Sequence, residues 1–264
     1  TYIGEEIAQK DIGLAMGLYI SGTAIGGMGG RLIAGVLVDF ISWQSATYII
    51  GFINLIIACL FYLLLPKSQH FQPYPFRFSR FKAAFEQNLK DRKLRILFAE
   101  GFILMGCLVT VFNYISYHLL EAPFQLSQSW IGLISIAYLA GIYSSSKAAQ
   151  WSFKYGRDKV LPLMLLMMMA GLLITLIPAL WAILLGLIIF AFAFFAAHST
   201  ASSWVSVQAI QYRAVAASLY LFCYYIGSSL LGSSGGLIWE NFGWIGINLS
   251  VGIVLAFGLI LSIR

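Results

Sequence analysis

Apolar runs of about 20 residues recur along almost the whole chain, and each is long enough to cross a ~30 Å hydrocarbon core as a helix. Eight such runs are predicted, at about 12–38, 43–65, 96–120, 129–149, 160–177, 181–204, 214–238 and 244–263. They lack apolar/polar alternation, which argues against a transmembrane β-barrel. Of the 264 residues, 60% are hydrophobic and 10% charged, against ~45–50% and ~25% in soluble domains. The expected fold is an all-α polytopic membrane protein. All six prolines (Pro66, Pro73, Pro75, Pro123, Pro162, Pro178) fall in connections or at ends of these runs, where a missing N–H is harmless. Cys59, Cys107 and Cys223 sit inside apolar runs without metal-ligand spacing and read as packing residues. No secretory signal is visible, and the chain opens without Met on a polar stretch, Thr1–Asp11, so the natural N-terminus is expected upstream.

The net charge of +6 reports orientation. Fifteen of the 16 Lys and Arg residues fall on one side of the predicted spans: Lys10, the eight from Lys67 to Arg95, Lys147, Lys154, Arg157, Lys159, Arg213 and Arg264. The opposite connections hold none, which makes the first side cytoplasmic. On the outer side, Trp43, Trp130, Trp181 and Trp244 each stand at or near the start of an inward-running span, as an interfacial aromatic belt would.

The first and seventh spans align without a gap at an offset of 201, with Ala15/Ala216, Leu18/Leu219, Tyr19/Tyr220, Ile25/Ile226, Gly26/Gly227, Gly35/Gly236, Trp43/Trp244 and Gly51/Gly252 identical. Six spans separate the copies, so both cross in the same direction. A parallel repeat of two six-helix halves describes the major facilitator architecture. Counted that way, the first span here is the fifth, and four helices are expected to precede Thr1.

GLYISGTAIGGMGGRLIAGVLVDF (17–40), LFAEGFILMGCLVTVFNYISY (97–117) and FFAAHSTASSWV (194–205) closely resemble the drug-exporter-like branch of the major facilitator superfamily. The resemblance runs the length of the chain. It implies eight helices of a twelve-helix fold: 1–65 as the last two helices of the N-terminal half, 66–95 as a cytoplasmic basic amphipathic linker, and 96–264 as the C-terminal six-helix half. The family loop motif G-x-x-x-D-R-x-G-R-R is degraded here, with Ala149, Phe153, Lys154, Gly156, Arg157 and Asp158 at its positions. The Gly-Pro of the exporter motif is replaced by Gly26-Gly27.

Gly22, Gly26 and Gly30 form a ladder of small residues four apart, continued by Ala34, which allows close backbone approach. It reads as a sliding contact between halves, or as static packing or a homodimer face. Measured from the outer ends at 1.5 Å per residue, these glycines lie at ~26, ~20 and ~14 Å, and Ser145, Gly141 and Ala137 of the fourth span at ~24, ~18 and ~12 Å. Gly26 is therefore expected to face Gly141, and Arg31 to lie beside Tyr138. Arg31, about 12 Å deep, reads as a substrate or gating contact, or as a snorkelling side chain. Glu100 and His198 share a depth, and by resemblance their helices line the central cavity. A carboxylate beside an imidazole suits proton coupling; a solvated Glu100 and a carbonyl-bonded His198 is the plainer alternative. Asn113, Tyr114, Tyr138 and Tyr224 offer aromatic, hydrogen-bonding surface for an amphipathic solute, unless they are interfacial. In the linker, Phe78, Phe81, Phe85 and Leu89 share one helical face, which places a basic amphipathic helix on the membrane rather than on nucleic acid.

The expected function is secondary transport of a small organic solute by alternating access. Proton-coupled export is what the resemblance implies; an uncoupled facilitator or sugar exporter is the rival. A membrane enzyme or scaffold fits less well, because His70, His118 and His198 lie on separate segments and no paired carboxylates or phosphate-cradling loop occur. No metal or other cofactor is expected. The expected partners are the lipid bilayer, the solute, protons and the four preceding helices.

Overall fold

Apolar runs this long leave the backbone no partner but itself, and the computed structural model is helical accordingly. It describes residues 6, 12–69 and 78–263. Thr1–Asp11 (apart from Glu6), and His70, Phe71, Pro73, Pro75, Phe76 and Arg77 of the linker, lie outside the described residues.

Helix α1 spans Ile12–Phe40 and α2 Trp43–Leu64. The linker helix α3 spans Phe78–Lys90, and α4 spans Arg92–Leu120. Helix α5, Gln128–Ile134, passes through a 3-10 turn, Ser135–Ala137, into α6, Tyr138–Tyr155. Helices α7, Arg157–Ile174, and α8, Leu180–Gln208, follow. The last helical stretch, Arg213–Ser262, breaks at Gly243 into α9 (213–242) and α10 (244–262). No strand occurs among the described residues. By length and composition, Trp43–Leu64, Arg92–Leu120, Leu180–Gln208 and Arg213–Ser262 are able to cross a membrane.

Local chemistry sets the boundaries. Ser42 caps α2 by accepting from Ser45 N at 3.2 Å. Asp91 caps α4 through Lys93 N (2.8 Å) and Leu94 N (3.1 Å). Gly156, at φ 91°, turns α6 into α7. One expectation needs correcting here. Pro162 lies inside α7, because that helix begins at Arg157, three residues before the apolar run.

The chain divides into two compact units. In the first, Thr1–Phe76 with Leu126–Ile136, α1 packs against α5. A Cβ on Gly35 would stand 2.5 Å from the Gln128 carbonyl oxygen, and one on Gly132 would stand 3.1 Å from that of Arg31. Ser135 Oγ donates to Met28 O at 3.2 Å. Asp39, just beyond the apolar run 12–38, accepts from Gln128 N (3.0 Å) and Ser129 N (2.8 Å), so the end of α1 caps the start of α5. The α1–α5 pairing thus lies nearer the Phe40 end of α1 than the ladder of Gly22, Gly26 and Gly30. A Cβ on any of those three would meet nothing within 4 Å. Of α2, only Ala46 is buried, and apart from the half-buried Ile50 its other apolar side chains are exposed.

Bonds from the Ser129 side chain and backbone, with that from Gln128, hold the Asp39 carboxyl below its ordinary value of 3.8. A carboxylate with a lowered folded pKa stabilises the fold above its unfolded pKa and loses that contribution as pH falls through the folded one. The melting temperature of the wild type should therefore exceed that of Asp39→Asn by a constant margin above about pH 4, and the margin should close at lower pH. A margin that persists in acid would remove the clip from the account.

In the second unit, Arg77–Gln125 with Ala137–Arg264, α4 packs along α9 and α10, while α8 packs against α6 and α7. Close backbone approach comes from glycines outside the predicted ladder. Gly171 and Gly186 face each other across α7 and α8, with Cβ positions 2.7 and 2.6 Å from each other's carbonyl oxygens. Gly227 of α9 lies against the Phe102 backbone of α4. The aromatic belt is also revised. Trp43, Trp130 and Trp181 are 66%, 63% and 67% exposed, but Trp244 is buried at 6%. Its indole N–H donates to Thr175 O at 3.2 Å, which makes it a helix-packing residue.

Candidate functional site

Helices α4, α6, α8 and α9 of the second unit bring a run of rings together. Tyr138 packs on Phe112 (4.9 Å between centroids) and on Phe195 (5.6 Å). Phe195 meets Phe194 at 5.1 Å, and Phe194 stacks on His198 at 6.0 Å and 4°. His198 lies against Tyr220 (5.6 Å) and Tyr224 (4.7 Å). Offset and edge-to-face contacts of this kind add specific geometry to the burial of apolar area. Within the run, His198 Nδ1 and the Tyr220 hydroxyl are 2.9 Å apart.

Glu100 is fully buried on α4, and neither carboxylate oxygen is hydrogen-bonded to a protein group. A Cβ on Gly258 of α10 would stand 3.2 Å from Glu100 Oε2. The expected Glu100–His198 contact is therefore not direct. The carboxyl is turned towards α10, while the imidazole is bonded to α9. Tyr220 relates the two, with its ring over Gly101 and its hydroxyl on His198. Sequence reasoning overlooked Tyr220, although it is one of the identities in the repeat.

The other predicted residues separate into groups. Tyr138 and Tyr224 belong to the aromatic run. Tyr114 is held in packing, its hydroxyl donating to Gly232 O at 2.9 Å and its ring stacked on Trp239 at 6.2 Å. Asn113 is exposed and Arg31 half-buried. Gly141 lies under the Phe195 ring, so its open side is occupied by α8. Ala137 is buried, and Ser145 O accepts from Ser199 Oγ at 3.2 Å. In the degraded loop motif, Gly156 makes the turn, Lys154 lies 5.0 Å from the Tyr155 ring, and the Arg157 Nε is buried without a protein acceptor. Among the described residues, no three His, Cys, Asp or Glu side chains gather where a metal ion could sit.

Tyr220→Phe keeps the ring over Gly101 but deletes the hydroxyl. The expected cost is about 0.5–1.5 kcal/mol of stability, measured by thermal or denaturant unfolding, with helix content unchanged. No measurable cost would mean that the His198 bond contributes nothing to the fold.

The family model described as Major Facilitator Superfamily matches residues 1–232. The chain belongs to the major facilitator superfamily. It is 46% identical over 264 residues to the inner membrane transport protein YnfM of Escherichia coli, covering 100% of this chain and 63% of that one. It is 47% identical over 264 residues to an uncharacterized transporter of Buchnera aphidicola from Schizaphis graminum, covering 100% and 64%. It is 42% identical over 261 residues to the uncharacterized MFS-type transporter YybF of Bacillus subtilis, covering 99% and 65%. The chain thus spans under two thirds of the length of these relatives. All three relatives bear the name of a transporter or transport protein.

Proposed function

We propose that this chain is the larger part of a secondary transporter of the bacterial inner membrane, which moves a small amphipathic organic solute by alternating access and couples its export to proton entry. Residues 1–65 are the last helices of the N-terminal half, 66–95 a cytoplasmic linker, and 96–264 the C-terminal half. Both ends of the chain and the linker lie on the cytoplasmic side, in keeping with the Lys and Arg bias.

The observation that carries the solute class is the aromatic run of α4, α6, α8 and α9, with the hydrogen-bonded pair His198–Tyr220 within it. Ring faces bind flat apolar surface, and hydrogen-bonding groups among them orient it. Asn113 of α4 contributes from the same unit, and Arg31 of α1 serves separately as a substrate or gating contact. Support for proton coupling comes from Glu100. A buried carboxyl that receives no protein hydrogen bond carries charge only at a cost of several kcal/mol, so taking up a proton changes which helix arrangement it favours. The Gly22–Gly26–Gly30 face of α1 serves contact between the halves.

The test is transport by the full-length protein in sealed vesicles with an imposed pH gradient, scored across a panel of amphipathic aromatic solutes. Expected is gradient-driven movement that stops when the gradient is collapsed. Movement unaffected by collapse would establish the uncoupled facilitator instead.

A further inference from the structure

A groove of about 640 Å³ runs between α4, α9 and α10 of the second unit, apart from the residues assigned to the solute. Phe98, Phe102, Leu231 and Phe257 form apolar walls, and Cys223 lies among them. Its single charged lining residue is Arg95, exposed on the first turn of α4 beside Leu89 of the linker helix. Arg92 nearby is exposed too. Glu100 is buried deeper on α4 and is not part of the lining, and the two acids nearer this end are engaged. Asp91 caps α4 and accepts from Gln208 Nε2 at 2.9 Å, and Glu86 faces Lys82 at 3.8 Å. The end of the groove is therefore cationic, while its length is apolar. From Arg95 to Phe102 the groove follows α4 for ~10 Å, within one leaflet of a ~30 Å hydrocarbon core.

A hydrocarbon tail with an anionic head matches this layout. We propose that the groove is a binding site for an anionic phospholipid, with an acyl chain between α4, α9 and α10 and the phosphate on Arg95. The inference needs the membrane setting of the fold but no particular solute or coupling ion.

Full-length protein, delipidated in mild detergent, is incubated with equal amounts of phosphatidylglycerol and phosphatidylcholine of identical chains, and bound lipid is counted by native mass spectrometry. The wild type should retain phosphatidylglycerol about fivefold over phosphatidylcholine, the preference expected from one favourably placed Arg. Arg95→Ala should level the two. Ala99→Phe, which fills the groove, should lower retention of both. A second readout avoids any folding defect in a variant: phosphatidylglycerol should slow thiol modification of Cys223 in the wild type, and inorganic phosphate should not. Equal retention of the two lipids, an undiminished preference in Arg95→Ala, or a Cys223 that no lipid protects would each overturn the proposal.

Discussion

Glu100→Gln is expected to abolish concentrative transport while leaving downhill exchange intact. Gln matches Glu in shape, so the packing against Gly258 is retained, but the position no longer takes up or releases a proton. A pH difference of one unit is worth about 1.4 kcal/mol per proton. Coupled one to one, it sustains a solute ratio of about ten. In Glu100→Gln that ratio should fall to about one, whereas equilibrium exchange of labelled solute across the vesicle membrane should persist. Loss of both activities with normal insertion would make the residue structural. Retention of the tenfold gradient would remove Glu100 from coupling and return attention to His198 and Tyr220.

Gly227→Leu should damage assembly more than any change in the Gly22–Gly26–Gly30 ladder. The open side of Gly227 lies on the Phe102 backbone, and Gly106 of α4 lies against the Gly227 carbonyl and Leu231. A branched side chain here cannot relax by turning a neighbour's side chain, because the obstacle is main chain. Overpacking of cores typically costs ~1–3 kcal/mol, and backbone contact places Gly227→Leu at or above the upper end. The yield of folded protein and its melting temperature should both drop sharply. Gly26→Leu, with nothing within 4 Å of its Cβ position, should leave the melting temperature nearly unchanged. Transport by Gly26→Leu then becomes a clean test of the contact between halves, since any loss would be separable from misfolding. Equal melting of the two variants would show that the α4–α9 approach tolerates a side chain.

Helices were legible in the sequence because a hydrocarbon core demands long apolar runs; their ends were less so, since α4 and α7 begin at Arg92 and Arg157, ahead of the apolar runs at 96 and 160. Contacts between helices were less legible too. The pairing of the first and fourth spans was anticipated, but its register rests on Gly35, Gly132 and Asp39, which no spacing rule favours over Gly26 and Gly141 among 25 glycines. Trp244 bears the same sequence mark as Trp43, Trp130 and Trp181. Only the position of Thr175 reveals it as buried. Tyr138 and Tyr224 were singled out by residue type. Tyr220 was not, because a tyrosine inside an apolar run looks like core until His198 is found within hydrogen-bonding distance.

Gly243 is the single residue, at φ 57° and ψ −149°, on which α9 ends and α10 begins. A side chain resists that conformation, and one residue leaves no slack. The two helices thus meet without a loop, and their junction offers no stretch of irregular chain for a protease to cut or an antibody to grip. An epitope tag placed there would have to unwind helix to be seen.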